Sequence, residues 1–293
     1  MIDNIITSVV IPTYNRIHYL KKALDSVLQQ TYKNFEVIIV DNFSNDGTKE
    51  YVEGLKNLKV QFYQIKNEGI IAKSRNFGVS KSNGKYIAFL DSDDCWNKEK
   101  LIYCTKKLDQ GYDLIYHNMI ITGQKSYISR CRNLINPIFE DLLCNGNPII
   151  TSSVVLRKDI FLSVDKMTEE KNLTAAEDFD TWLKISKVTE KFFLEKRPLG
   201  DYLASEDSFW SLSKVNFEQN FTRIDKILHN HINDYKKDKN NIIWADYLKA
   251  QYLSKNNKYN ESNHYLLKLI KKNISFIWLM KIIYIFLRNL VRV

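Results

Sequence analysis

Apolar residues in the first ninety positions gather into four short runs, Thr7–Ile11, Phe35–Val40, Val60–Ile65 and Tyr86–Leu90. Each is rich in β-branched or aromatic side chains and each is followed by polar or turn-forming residues, the pattern of buried strands. Between the first two, Leu20, Ala23, Leu24, Val27 and Leu28 recur at three- and four-residue spacing, which predicts a helix with one apolar face turned to a sheet. A further helix is expected from Ile70 to about Ser80, closed by the turn residues Asn83-Gly84. Alternating strands and helices predict an α/β domain with a largely parallel sheet. In such a sheet ligands collect beyond the carboxyl ends of the strands. The informative residues are therefore Pro12-Thr13-Tyr14-Asn15, Asp41-Asn42, Asn67-Glu68-Gly69 and Asp91-Ser92-Asp93-Asp94.

From Leu101 to Arg157 the pattern is mixed, with strand-like stretches at Asp113–Tyr116 and Ser153–Leu156, and a second half of the same domain fits best. Beyond about Phe209 it turns helical. Ala245, Leu248, Ala250, Tyr252 and Leu253 precede a polar turn at Asn256–Lys258, and Tyr259, Tyr265, Leu266 and Leu269 follow, like one hairpin of a tetratricopeptide-type repeat without a second period. This divides the chain into an α/β domain over 1–208 and a helical region over 209–293. The stretch Ile274–Val293 is strongly apolar, yet Lys281 cuts it into runs too short to span a bilayer without burying a charge. A membrane-surface helix and a terminal helix packed on the domain both remain open.

The run ending at Leu90 stops abruptly in three carboxylates, Asp91, Asp93 and Asp94. Clustered like charges at the end of a buried strand need a cation or a set of donors, and an oxygen-only ligand set suits Mg²⁺ or Mn²⁺. This pattern points to a metal-diphosphate site. At 293 residues, 44% hydrophobic and 26% charged, the chain has an ordinary globular composition. The formal net charge of +9 favours anionic partners: nucleic acid, an acidic membrane surface or a phosphorylated substrate. Nucleic acid is disfavoured, because Lys and Arg are spread along the chain and no binding module for it is recognisable. Cys95, Cys104, Cys131 and Cys144 lack both zinc-site spacing and disulfide density, which predicts reduced thiols and a cytoplasmic setting. Met1–Tyr14 has no signal-peptide pattern. A dehydrogenase is disfavoured, since Ile11-Pro12-Thr13-Tyr14 stands where a GxGxxG turn would be needed.

Taken in order, Val9-Val10-Ile11-Pro12-Thr13-Tyr14-Asn15-Arg16, Asp41-Asn42-Phe43-Ser44-Asn45-Asp46-Gly47-Thr48, Asn67-Glu68-Gly69 with Ala72, Arg75-Asn76 and Gly78, Gly84-Lys85-Tyr86 and Asp91-Ser92-Asp93-Asp94 resemble the family 2 glycosyltransferases of the GT-A fold, over about 1–205. The resemblance implies a Rossmann-like mixed sheet flanked by helices, with a C-terminal helical extension here. It implies inverting transfer of a sugar from a nucleotide donor, usually a UDP-sugar, with Mn²⁺ or Mg²⁺ on the diphosphate. In those roles Asp41 accepts the N3–H of uracil, Pro12, Thr13 and Tyr14 wall the base, and Asn67, Arg75 and Ser92 belong to the donor pocket. Asp93 ligates the metal, Asp91 holds the ribose or a metal-bound water, and Asp94 supports them from behind.

The acceptor hydroxyl needs a base. Thr174-Ala-Ala-Glu177 matches a capping box, with Phe179, Trp182, Leu183 and Ser186 on the inward face of the helix that follows. That gives Glu177 a structural task and leaves Asp178 as the base, which the resemblance supports. The helix N-terminus is expected to keep Asp178 ionised. Asp180 is the runner-up for the base, though it is expected to face solvent. One departure from the family pattern stands out: the basic Tyr-Arg-x-His-like element is replaced by Asp201-Tyr202-Leu203-Ala204-Ser205-Glu206-Asp207, leaving Lys214 and Arg197 as candidate substitutes. The expected partners are a nucleotide-sugar donor and a glycan or lipid-diphosphate-linked glycan acceptor of bacterial surface-polysaccharide synthesis. The expected address is the inner face of the plasma membrane, with peripheral contact to anionic lipid.

Overall fold

A computed structural model describes residues 6–123, 126–129, 131–203, 214–239, 242–272, 274 and 276–291. The chain forms two compact units, one of residues 1–134 and 148–205, the other of 135–147 and 206–293. The segment 135–147, which the linear reading leaves in the first unit, is grouped with the second. Phe209, the expected onset of the helical region, and Ser205-Glu206-Asp207 lie outside the described residues, as does the side chain of Lys214.

The first unit is a mixed nine-stranded sheet flanked by helices. Strands β1 (Thr7–Thr13), β2 (Phe35–Asp41), β3 (Val60–Gln64) and β4 (Tyr86–Phe89) are parallel in the order β3-β2-β1-β4. β1 and β2 are buried along their whole length, as strands covered on both faces must be. Beyond β4 the sheet continues through β8 (Val155–Arg157), β6 (Leu114–Thr122), β9 (Phe192–Leu203) and the short β5 (Cys95–Trp96), while β7 (Tyr127–Ile128) pairs with β6. β8 runs antiparallel to β4 and β6, whereas β6 and β9 run parallel across two register shifts. β9 escapes sequence reading because Glu195-Lys196-Arg197-Pro198 interrupts its apolar pattern.

The predicted first helix is α1 (Ile17–Leu28), which buries Leu20, Ala23, Leu24 and Val27 against the core built on β1, β2 and β4. After α2 (Thr48–Gly54) comes α3 (Ile71–Lys81). Gly78 lets α3 approach the sheet closely, since a Cβ there would sit 2.5 Å from Val10 Cγ1. α4 (Lys100–Asp109), α6 (Lys158–Ser163) and α7 (Glu177–Ser186) complete the first unit, with a turn of 3₁₀ helix at Thr151–Ser153. β2 and β4 lie on opposite sides of β1, so the chain order reverses there and opens a crevice beyond the carboxyl ends of these strands.

The second unit holds α5 (Ile138–Asn145), α8 (Lys214–His231), α9 (Trp244–Lys255), α10 (Tyr259–Ile270) and α11 (Phe276–Leu290). α9 and α10 form the expected hairpin around Asn256–Lys258. Ile243, Ala250, Leu266, Leu269, Ile282 and Ile285 make its core, so one face of α11 is packed.

Candidate active site

Four segments of the first unit supply the site: the turn after β1, α3, the loop after β4 and the start of α7. The register pairs Thr13 with Asp41 at the ends of β1 and β2. Pro12 and Thr13 are buried and Tyr14 is exposed, which leaves its ring free to stack on a planar ligand. Asp41 is fully buried. Its carboxylate accepts from Ser44 N at 2.9 Å, from Ser44 Oγ and from Gln64 Nε2 at 3.0 Å, so its visible task is to hold the turn after β2. Asn67 is likewise occupied: Nδ2 donates to Ser74 Oγ at 2.9 Å and Oδ1 accepts from Gly69 N at 2.9 Å.

Arg75 is buried and forks between two carboxylates, Nη2 to Asp91 Oδ1 and Nη1 to Glu177 Oε1, both at 2.6 Å. Burial opposes its charge, but Asp91 and Glu177 outweigh that and hold the guanidinium above its ordinary pKa. One rigid cation thus ties the loop after β4 to the start of α7.

This ion pair also replaces the expected capping box. α7 begins after Ala176 with no side-chain cap, Thr174 Oγ1 has no hydrogen-bond partner, and Glu177 is drawn to Arg75 instead. The pull of a buried cation exceeds that of a backbone N–H. Asp180 does not face solvent either: it is buried and pairs with Lys184 at 2.7 Å.

Asp178 remains partly open to solvent, though its carboxylate is enclosed by protein. Oδ2 accepts from Thr151 Oγ1 at 2.9 Å and Oδ1 from Phe179 N at 2.6 Å. The helix N-terminus is not the only influence on its charge. Burial and then the charge of Glu177 push its pKa up to about 7, against the opposing effects of Thr151 and Arg75. A carboxylate poised near neutrality is well matched to taking a proton.

In the loop after β4, Asp93 pairs with Arg16 Nη1. Burial and then Asp91 raise its pKa, with Arg16 opposing. Asp94 is buried, accepts Leu203 N on Oδ1 at 3.1 Å and leaves Oδ2 without a hydrogen-bond partner; burial and Asp91 raise it well above the ordinary value. Ser92 is buried beside them. The loop therefore holds more negative charge than its cations balance, and an orphaned buried oxygen, which fits a divalent ion. Among the described residues no three His, Cys, Asp or Glu side chains converge as a closed metal site. These carboxylates would suit a divalent ion that takes only one or two protein ligands.

Sequence reading missed the Thr151–Ser153 turn. Thr151 holds Asp178, while Ser152 Oγ accepts from Asp91 N at 3.0 Å. Ser152 O in turn accepts from Trp96 Nε1 at 2.8 Å and the buried Lys100 Nζ at 2.7 Å. A polar Thr-Ser-Ser carries no signal of its own. Tyr202 was also missed: burial and then Asp94, Asp91, Asp93 and Asp178 all raise its pKa. Arg16 was readable only as part of a motif. Arg197 is committed to Glu195 at 2.8 Å and stacks on Tyr103.

The family model described as "Glycosyl transferase family 2" matches residues 8–158. The chain belongs to that family. The matched span includes the Arg16, Arg75 and Asp91–Asp94 parts of the site and stops short of Asp178. Among curated relatives, whose first members the chain spans only in part, the amylovoran biosynthesis glycosyltransferase AmsB of Erwinia amylovora is 31% identical over 216 residues, 67% of this chain and 68% of that protein. The Escherichia coli UDP-Glc:alpha-D-GlcNAc-diphosphoundecaprenol beta-1,3-glucosyltransferase WfgD is 30% identical over 129 residues, 44% of this chain and 51% of WfgD. An uncharacterized glycosyltransferase of Rickettsia bellii is 43% identical over 111 residues, 38% of this chain, and the match spans only 16% of that longer protein. The crystal structure of Staphylococcus aureus TarS 1–349 with UDP-GlcNAc shares the fold at a TM-score of 0.66 and 21% identity, covering 98% of this chain and 81% of TarS 1–349.

Proposed function

We propose that this family 2 glycosyltransferase moves a sugar, with inversion, from a UDP-sugar to a hydroxyl of a lipid-diphosphate-linked glycan in bacterial surface-polysaccharide synthesis. The observation that carries the reading is the Arg75 fork, which joins the carboxylate loop after β4 to the Glu177-Asp178 start of α7. The names of AmsB and WfgD support the polysaccharide role, and that of WfgD supports a UDP-sugar donor and a lipid-diphosphate acceptor.

In this reading Tyr14 and Thr13 flank the base, and Asp41 offers its remaining lone pair to a base N–H. Asp93 would hold a divalent cation, with Asp91 beside it. Lewis-acid stabilisation of the departing diphosphate is the chemistry that such an ion supplies when bound. Arg16, the exposed cation beside Asp93, is available to meet a donor phosphate.

Asp178 accepts the proton of the acceptor hydroxyl as its oxygen bonds to the anomeric carbon. The bond from that carbon to the diphosphate oxygen breaks on the opposite face, and its electron pair leaves with UDP. A single base and attack opposite the leaving group give inversion. A lipid-linked acceptor would place the reaction at the inner face of the plasma membrane.

The test is a UDP-sugar panel with Mn²⁺ and a lipid-diphosphate acceptor, comparing wild type, Asp93→Ala and Asp178→Asn. Asp93→Ala is expected to weaken metal-dependent donor binding, and Asp178→Asn to abolish transfer while donor still binds. Full transfer by Asp178→Asn would move the base elsewhere.

A further inference from the structure

The outer face of α11 is built against the usual rule for a helix in water. Ile282, Ile285 and Asn289 point inward and are buried, yet the opposite side is also apolar. Phe276, Met280, Tyr284, Leu287, Leu290 and Val291 are 51% to 88% exposed. At about 100° per residue these six fall within an arc of about 120°, directly opposite the packed face. The stripe is about 23 Å long at helical rise. An exposed, contiguous apolar stripe of this size marks a surface that is covered in use.

Three occupants are conceivable: a lipid surface, a second copy of the chain, or another protein. Charge decides among them. From Ser262 to Val293 the sequence carries Lys268, Lys271, Lys272, Lys281, Arg288 and Arg292 and neither Asp nor Glu. Lys281 and Arg288 border one edge of the stripe at about 120° to 140° from Phe276 on the helical wheel. Lys281 is exposed, its ammonium 4.6 Å from the Trp278 ring, and Arg288 donates to Ser254 Oγ at 2.6 Å while staying partly open to solvent. Packing two copies antiparallel would gather these cations at one seam with no acids on α11 to offset them, and a parallel pair would leave both cationic edges unmatched. An anionic bilayer surface accepts both features, apolar side chains below the headgroups and cations among them.

We propose that α11 is an interfacial membrane helix, lying in the plane of an anionic lipid surface with the Phe276–Val291 stripe buried below the headgroups. Among the described residues no helix is long and apolar enough to cross a membrane, so the contact is peripheral. Of the two alternatives that the sequence leaves open, a packed helix and a surface helix, α11 has one face for each.

The test is sedimentation of the full chain with phosphatidylglycerol-containing vesicles and with pure phosphatidylcholine vesicles. It compares wild type with Met280→Glu/Leu287→Glu and with the uncharged pair Tyr284→Ser/Leu287→Ser. Partitioning should favour the anionic vesicles, weaken as salt rises, and fall at least about tenfold in either variant, since each loses two buried apolar side chains. Thermal unfolding should be little changed because the substituted positions are exposed. Equal binding to both vesicle types, or full binding by both variants, overturns the proposal. So does a concentration-dependent dimer that the variants abolish without vesicle binding by wild type. Vesicle binding is read without any transfer reaction, so this inference and the sugar-transfer reading fail separately.

Discussion

The loop after β4 and the last helix break the ordinary partition of polar and apolar groups in opposite directions. In the loop, carboxylates are buried. On α11, large apolar side chains are exposed. Burying a charge is tolerated only where partners neutralise it, and the protein supplies part of that through Arg16 and Arg75, leaving Asp94 Oδ2 unmatched. Exposing an apolar stripe is tolerated at little cost to folding, but it leaves a surface with affinity and no partner in the chain. The first deviation asks for a small, charged ligand and the second for a broad, soft one. Both are read from a balance that the protein does not close by itself.

The sharpest way to break the polar side of the comparison is Asp178→Asn. Transfer should fall by about 10²–10⁴-fold, with donor affinity by calorimetry changed less than about threefold; proportional loss of both would make Asp178 a donor ligand rather than a base.

Arg75→Met comes next. It leaves Asp91 and Glu177 buried without their shared cation and should cost about 3–5 kcal/mol of stability in denaturant titration. Arg75→Lys should restore little of it, because one ammonium does not reproduce the fork. A variant as stable as wild type would show that the bridge is not what joins the two ends of the site.

The pH dependence follows from Asp178, whose pKa is raised to about 7. Because the native state holds its proton more tightly than the unfolded chain, this group's contribution to stability is fully present below about pH 4 and declines as pH rises through 7. Activity runs the other way. It should rise about tenfold per pH unit below 7 and level off above, and the stability of Asp178→Asn relative to wild type should grow over the same window. Thr151→Val removes the hydroxyl that favours the ionised form and should move the activity midpoint upward by under about one unit, the equivalent of one hydrogen bond. An unmoved midpoint would separate the turn from the base.

The smallest effect belongs to the apolar side: charging Met280 and Leu287 should leave stability within about 0.5 kcal/mol per site and donor binding unchanged, while vesicle binding falls.

Much of the frame is legible in one dimension. β1 to β4 and α1 follow from apolar periodicity, and the residues after each strand are those the crevice collects, because a parallel sheet places those ends together. Asp93 stands out as one of three carboxylates that end a buried strand, whereas Asp178 at a helix start, where acids are common, is singled out only by the family resemblance. The capping box was a sound local inference that lost to a longer-range force: Arg75, 102 positions away from Glu177 in sequence, offers more than a backbone N–H does. Asp180 was misread for a related reason, since Lys184 one turn later lets it stay buried. β9 was hidden by its charges and proline.

What the sequence determines by itself is the set of elements and the inventory of charge, because periodicity and composition are local properties. What only the tertiary structure decides is which charges share a partner: that Arg75 serves Asp91 and Glu177 together, that Thr151 and Ser152 hold Asp178 and the loop after β4 from one turn, and that burial and Glu177 raise the pKa of Asp178. These depend on burial and on distances between residues far apart in the chain. The same holds for α11, where the sequence supplies apolar residues all round and packing alone selects the face left open.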